Sequence, residues 1–533
     1  MSCQFYLAGD LPGRHISVSI PPSIKTLKQR VAQEFAVIEP NGQSGKAVEV
    51  LVNGNAVANI PGPRGLPLIG SHCEVYPDHL GNHERLFQSY GPIFKTTVMG
   101  RTVYHTNDPE ITAHVFKETA FFTKEINSAH PLYGVKSPHA GVFLTDTHTN
   151  VWKEAHKFMV PAFGPRAIEK YSKLVATIVR KSFHVFDKME DDGLAWNSYE
   201  YTLKLTSQIM GTLVVGVDFG HLERVDSPIH DTVAAIFRLL GLNKKVTSWG
   251  DWYSWLPFGD PKRLRDTWHE VGSRVGKHVA DAPKGSGDLP LQQAAVEAKN
   301  LADYLQRGTD MNGNKMAVES SRPALIVALT AGFVTTSALL SWLLFGLATY
   351  DGCQSEILQE LIENGMTEET EMTGEFIGRL SFLDKFVKET QRHHTTSFQP
   401  ARTARVDLIL PSGHRLPKGA VVIPAAHHIH HNDRIWENPT RFDPYRWDTE
   451  QVKSRHRAAY IPFAMGPRMC IAMNLVLSEV KIILAQLVYR YEFVRYGNEA
   501  IEYDPMFQTI RPRNLYIKTI KRTTWDKQPK KAS

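Results

Sequence analysis

Phe463-Ala464-Met465-Gly466-Pro467-Arg468-Met469-Cys470-Ile471-Ala472 is the stretch on which the reading turns. Gly466 and Pro467 form a loop that delivers one cysteine to the start of an apolar helix. Leu475, Leu477, Val480, Ile483, Leu484 and Leu487 continue that helix. A cysteine so placed faces unpaired backbone N–H groups and the positive end of the helix dipole. Both stabilise a thiolate. Arg468, two residues earlier, supplies a fixed cation suited to a carboxylate. A cysteine buried at a helix start for packing alone reads the same way in isolation.

The composition narrows the classes. The chain has 533 residues, 42% hydrophobic and 22% charged, which excludes wholesale disorder. With 37 glycines and 31 prolines it is no collagen or linker protein. A net charge of +6, with no arginine-rich arm, makes nucleic acid a poor partner. Four cysteines (Cys3, Cys73, Cys353, Cys470) exclude a disulfide framework and point to a reducing compartment. The N-terminus carries an acid and no apolar run, so neither a signal peptide nor an anchor is expected. Ala324–Tyr350 holds no charge and is long enough to span a bilayer. Its serines and threonines, its mid-chain place and the lack of an aromatic belt at both ends favour a helix buried in a large domain.

Residues 1–58 read as a separate extension. Phe5 and Leu7, a turn at Asp10–Gly13, and the alternation around Ile16, Val18 and Ile20 give two strands. Ser23 caps a helix with a stripe of Ile24, Leu27, Val31 and Phe35, and Val48, Val50 and Leu51 give another strand. That order resembles a ubiquitin-like β-grasp; a simple extension packed on the main body is the alternative. Ile60–Gly65 is a proline-stiffened lead into residues 59–520. Helical periods dominate to about residue 395, with 283–316 expected as a surface connection around one helix. Residues 400–447 are rich in strands and loops. Residues 521–533 form a basic tail expected to be mobile.

Taken with three further stretches in the same order, the cysteine loop resembles the cytochrome P-450 family of haem-thiolate enzymes. The loop fits F-x-x-G-x-R-x-C through Phe463, Gly466, Arg468 and Cys470, with Ala472 in place of the usual glycine. Glu389-Thr390-Gln391-Arg392 fits the family's E-x-x-R helix, whose spacing puts both side chains on one face. Arg441 to Trp447 fits the following segment, whose Arg441 would complete an ion-paired triad. Ala331-Gly332-Phe333-Val334-Thr335-Thr336 fits the oxygen-binding centre of a long helix.

The resemblance covers roughly residues 60–510 and is nearest to the fatty-acid hydroxylase branch, without a fused reductase domain. It implies a mainly α fold with small β-sheets, and haem b (iron protoporphyrin IX) with Cys470 as axial ligand. A thiolate ligand pushes electron density that favours O–O cleavage. It implies Trp152, His156 and Arg468 against the haem propionates. Thr335, with Ala331 and Gly332, would serve oxygen activation. Phe143, Ser397 and Phe398 would face substrate. Arg101 lies where the branch anchors a fatty-acid carboxylate, though the partner tyrosine position carries His105.

The implied reaction inserts one oxygen atom from O2 into a small apolar organic molecule, a fatty acid or a secondary metabolite. NADPH electrons would come through a separate reductase. The expected location is the cytoplasm, with at most peripheral contact on the cytosolic face of the endoplasmic reticulum. Lys530-Lys531-Ala532-Ser533 adds only a weak dilysine resemblance.

One position departs from the family. An acid normally precedes the threonine of the long helix, and Val334 stands there. A carboxylate recharges the proton relay, and valine cannot. Two alternatives therefore stay open: a haem-thiolate isomerase or dehydratase acting on peroxides without NADPH, and a non-catalytic haem-binding protein. Restoring an acid at Val334 is expected to keep or raise turnover. His427, His428, His430 and His431 crowd one stretch; read as a strand, it puts His428 and His430 on one face. Structure or haem-edge contact is the favoured reading over a metal site.

Overall fold

In the computed structural model the structure describes residues 2–6, 15–19, 51–52, 55–56, 58–119, 121–136, 141–397, 400–504, 507 and 509–525. The helix expected from Ser23 onward, the tail beyond Trp525 and Phe398 lie outside them. Ser2–Tyr6 pairs antiparallel with His15–Ser19, and Leu51–Val52 with Asn55–Ala56. Ala58–Asn59 joins the main body as a parallel partner of His414–Leu416.

The rest is mainly helical with small sheets. The charge-free segment folds as one helix, Val318–Thr349. It is the one helix among the described residues long and apolar enough to cross a membrane, and 67% of its most apolar window is buried in the protein. An all-round apolar helix needs partners on every side, and it has two cores. Its first half, through Leu329, Phe333, Val334 and Ala338, packs with helices Asp231–Ser248 and Gly259–Asp281. Its second half, Leu339 to Leu347, packs with Pro165–Asp191, Cys353–Glu363, Ser381–His393 and Met473–Arg490.

Helix Ser198–Met210 lies along its middle, and the serines and threonines explain the fit. Thr202 Oγ1 donates to Ser337 O at 3.0 Å and lies 2.8 Å from Ser341 Oγ; Thr206 Oγ1 donates to Phe333 O at 3.2 Å. Gly332 leaves room for Met210 there: a Cβ on it would meet Met210 Cε at 2.3 Å, and that side chain would have to shift.

The main sheet runs Ile93–Val98, Arg101–Thr106, Val421–Pro424, Arg402–Ala404, Phe122–Thr123, with only the second and third strands parallel. Two expectations change. Residues 283–316 carry two helices, Leu291–Glu297 and Leu301–Arg307, whose Ala294, Leu301 and Tyr304 are buried in the second core. They are structural, because their apolar faces have a core to cover. Lys521–Trp525 is anchored rather than loose: Arg522 Nε donates to Val488 O at 3.0 Å and Trp525 Nε1 to Tyr489 O at 2.8 Å.

Candidate active site

The cysteine loop is built by tight backbone contacts. Gly466 has φ +77°, and a Cβ there would meet Phe116 O at 2.1 Å, so only glycine fits. Cys470 N–H donates to Phe463 O at 3.0 Å and closes the loop. The helix itself begins at Met473. Cys470 is exposed, yet burial is the largest influence on its thiol and pushes the pKa up; the Ala472 N–H and Lys124 oppose that rise. The thiolate is thus less favoured than its position near a helix start suggests, since burial outweighs one N–H and one cation. A metal ion bound at the sulfur would supply the missing compensation.

Cations gather beside it. Arg468 is buried. Its Nη1 donates to Thr145 O at 2.8 Å and Thr147 Oγ1 at 3.0 Å, and its Nη2 to Val142 O at 3.1 Å. Desolvation, helped by Arg402, draws its pKa down to about 10. Its guanidinium lies 5.2 Å from the centre of the Trp152 ring, which stands 4.7 Å from His156 one turn along helix Asn150–Met159. Burial, then Arg468, lowers the pKa of His156.

Lys124, which sequence reasoning missed, sits in the same neighbourhood. Burial, then Arg468 and Arg402, holds its ammonium well below the usual lysine range, and it lies 3.9 Å from the Phe143 ring centre. Arg402 is matched by the buried carboxylate of Glu118. Arg468 and Lys124 form no ion pair among the described residues. Glu118 acts on both at longer range, and Asp146 on Arg468. Two buried cations with no direct ion pair, beside one thiol, fit a ligand that brings two carboxylates and an iron, which is what haem b carries. The only sign of Lys124 in sequence is a lysine ending the apolar run Phe121-Phe122-Thr123, too common to single out.

On the long helix, Val327, Ala328, Thr330, Ala331, Gly332 and Thr335 are half-buried while Leu329, Phe333, Val334 and Thr336 are buried. This i, i+4, i+8 stripe is the face a hollow would leave open. Thr335 Oγ1 donates back to Ala331 O at 2.8 Å. Gly332, on the same stripe, also borders Met210, whose Cε a Cβ there would meet at 2.3 Å. Val334 is 3% exposed in the apolar core, about 100° round the helix from Thr335. An acid there would enter the apolar core.

The E-x-x-R helix holds a buried knot. Glu389 and Arg392 are both 0% exposed and pair bidentately, with Arg392 Nη2 to Glu389 Oε1 at 2.8 Å and Nε to Oε2 at 3.0 Å. The third member is Arg446, not Arg441: Arg446 Nε donates to Glu389 Oε1 at 2.9 Å. Arg441 is 72% exposed and contributes its carbonyl, which accepts from Arg446 Nη2 at 2.7 Å. The cause is local. Asp443 caps the 3₁₀ turn Pro444–Asp448, which swings the chain so that Arg446 points inward.

Among the other sequence candidates, Phe143 is 39% exposed on the short helix Gly141–Leu144, and Ser397 is exposed. Arg101 stands apart from the cysteine, its Nη1 donating to Thr247 O at 2.6 Å. The histidine stretch is a short helix, Ala426–His430, rather than a strand. His428 Nε2 lies 3.0 Å from Leu80 O, and Ile461 N–H donates to His430 Nε2 at 2.9 Å. No group of three metal-ligating side chains occurs among the described residues.

Comparison with known proteins agrees with this geometry. The family model for cytochrome P450 matches residues 60–517. Cytochrome P450 monooxygenase alnD of Emericella nidulans is 46% identical over 98% of both chains. Leukotriene-B4 omega-hydroxylase 3 of Mus musculus is 27% identical over 68% of this chain and 70% of its own. The crystal structure of the cytochrome P450DA heme domain superposes with a TM-score of 0.76 at 21% identity, covering 87% of this chain and 98% of that one. A cysteine loop closed on Phe463, a buried Glu389–Arg392 pair and a near full-length match to a fungal monooxygenase converge: the chain belongs to the cytochrome P450 family and is an oxidoreductase of that class.

Proposed function

We propose that this P450 inserts one oxygen atom from O2 into an apolar organic substrate, a fatty acid or a secondary metabolite, with electrons from a separate NADPH-dependent reductase. The balance is substrate C–H plus O2, two electrons and two protons, giving the alcohol and water. Bound haem supplies the oxygen chemistry. The chain's residues do the rest. Cys470 would ligate the iron. Arg468 and Lys124, with Trp152 and His156 alongside, would hold the propionates. Thr335 is the one hydroxyl on the half-buried stripe, and it offers an acceptor and, on rotation away from Ala331 O, a donor.

The observation that carries the reading is the pair of buried cations beside Cys470 that form no direct ion pair among the described residues. Purified protein should show a carbon monoxide band near 450 nm on reduction and turn over with a reductase and NADPH. A colourless protein that refuses added hemin sinks it. Val334 in the core leaves the relay without an adjacent acid, which favours a second reading as a peroxide-rearranging enzyme. Activity on hydroperoxides without NADPH, and none with a reductase, would select it.

Residues 59–520 would form the catalytic domain, with 1–58 as an extension. A cytoplasmic protein with peripheral membrane contact is the location we favour. Trp252, Trp255 and Phe258 are 56%, 76% and 64% exposed between two helices, close in sequence to Lys262, Arg263 and Arg265. Aromatic side chains beside basic ones suit a lipid interface.

A further inference from the structure

Away from the cysteine, a cluster of imidazoles joins one helix to the main sheet. Helix His79–Tyr90 buries His79, Leu80, His83, Leu86 and Phe87, so two of the five side chains on its docked face titrate near neutral pH in water. The His83 ring centre lies 4.4 Å from that of His105, on strand Arg101–Thr106, and 5.9 Å from that of His428, on helix Ala426–His430. His79 stands one turn back, 6.3 Å from His83. All four are buried. Phe94 stacks on His105 at 5.1 Å and Phe87 lies 5.2 Å from His428, which closes the cluster with apolar rings.

This packing suits neutral imidazoles only. Among the described residues His83 Nε2, His105 Nδ1 and His428 Nδ1 have no hydrogen-bond partner. A proton on any of them would set a charge beside the other rings and near the buried ammonium of Lys244, which opposes protonation of His79, His83 and His105. For His83, His105 and His428 the one carboxylate in ion-pair range among the described residues is Glu84, 4.0 Å from His428 Nε2, with its side chain 52% exposed. Burial is the largest influence on all four imidazoles and holds their pKa values down.

The other titratable neighbours keep their state in mild acid. Tyr76 borders the cleft beside the cluster, and Tyr503 packs 5.7 Å from His79 and donates to Asp78; burial raises both phenols, which stay neutral. Lys244, at about 8, and Arg101 are charged below pH 7.5. His427, 5.3 Å from His428, and His130, which lines the same cleft, are held neutral by burial and sit on other elements. The cleft is open on one side and lined by His79, His83 and His105, which gives protons a route in.

We propose that helix His79–Tyr90 is an acid-released latch: neutral imidazoles dock it on the sheet, and in mild acid it opens locally, its freed rings taking up protons, while the two cores stay folded. A docked ring refuses a proton that a freed ring accepts below pH 6.5, so the opening constant rises as the pH falls. Between pH 7.5 and 5.5 each ring set free multiplies that constant by about ten. His79 and His83 leave with the helix and give about a hundredfold; baring His105 and His428 as well gives up to about ten-thousandfold. Lys244 is charged in both states below pH 7.5 and adds little pH dependence of its own. Opening of one element below the global transition is ordinary protein behaviour. The latch is independent of the reaction performed at Cys470.

The test is amide hydrogen exchange of the holoenzyme at pH 7.5, 6.5 and 5.5, corrected for the intrinsic pH dependence of exchange. Protection of the amides of Leu80–Tyr90 should fall about a hundredfold or more between pH 7.5 and 5.5, while Leu329–Leu347 of the long helix stay more strongly protected at pH 5.5. His79→Phe/His83→Phe keeps rings in place without the titration and should reduce the response about a hundredfold; His83→Phe alone should reduce it about tenfold. If neither variant folds, the wild-type comparison of the two segments decides. Glu84→Gln should leave the response in place. Constant protection of Leu80–Tyr90, equal protection of both segments at pH 5.5, or an undiminished response in the folded His variants would overturn the latch. So would a response lost in Glu84→Gln, which would put the titration on the carboxylate.

Discussion

Lowering the pH from 7.5 to 5.5 should destabilise this fold well before its carboxylates titrate. Four buried histidines are held far from their ordinary range by desolvation: His105 and His130 at about 3, His221 and His428 at about 4. Their folded pKa values are depressed, so above pH 6.5 both states are neutral and the groups contribute nothing. Below it the unfolded chain takes up protons that the folded chain refuses. At pH 5.5 each costs about 1.4 kcal/mol, so four cost about 6 kcal/mol.

Glu479 works against this. It is buried, and desolvation raises it to about 8. It stays protonated in the fold while the unfolded chain ionises, so its cost shrinks on acidification, by about 2.5 kcal/mol over the same interval. The net loss is about 3 kcal/mol, a large part of the roughly 5–15 kcal/mol typical of a domain. His79 and His83, also lowered well below their usual value by burial, deepen it. Urea unfolding followed by tryptophan fluorescence at pH 7.5, 6.5 and 5.5 measures the change. Glu479→Gln removes the opposing group and should make the fall steeper. Equal or greater stability at pH 5.5 than at pH 7.5 would refute the linkage.

Three further outcomes are expected. Glu389→Ala leaves Arg392 and Arg446 buried without their carboxylate and should cost about 3–5 kcal/mol in urea unfolding, whereas exposed Arg441→Ala should change stability by less than about 0.5 kcal/mol. Val334→Glu places a carboxyl in the apolar core, so the variant should lose stability, and lose more at pH 8 than at pH 6, because a buried acid is tolerated only when neutral. Lys124→Met should speed transfer of haem to apomyoglobin about tenfold or more, since a charge-assisted hydrogen bond is worth roughly 1.5–3 kcal/mol; an unchanged transfer rate would remove Lys124 from the propionate set.

The cysteine loop was legible because its constraints are local. Gly466 is dictated by one backbone contact, and the spacing to Cys470 by one hydrogen bond. The Glu389–Arg392 pair was equally plain, being one helical turn apart. Arg441 and Arg446 could not be separated in sequence, since both flank Asp443-Pro444; only the direction of the capped turn chooses between them. Val334 shows the same limit. Next to Thr335 in sequence, it points into the core, because adjacent residues on a helix diverge by about 100°. Lys124 and Lys244 were invisible for a different reason. Each is notable for the burial of its ammonium, which is a property of the fold.

The position of the site follows from packing. The two cores meet along the long helix between Ala338 and Leu339, and again at the start of the helix after Cys470, where Leu475 belongs to one and Val476 to the other. Ala472 packs against both. The thiol therefore lies at a seam, where side chains of two clusters diverge and a hollow can persist without disrupting either. Arg468, Lys124 and Arg402 add positive charge near that seam, and the carboxylate of Glu118 pairs directly with Arg402 alone. A dicarboxylate ligand held there neutralises the charge and bridges the cores together, so by mass action its binding free energy adds to the stability of both halves of the long helix.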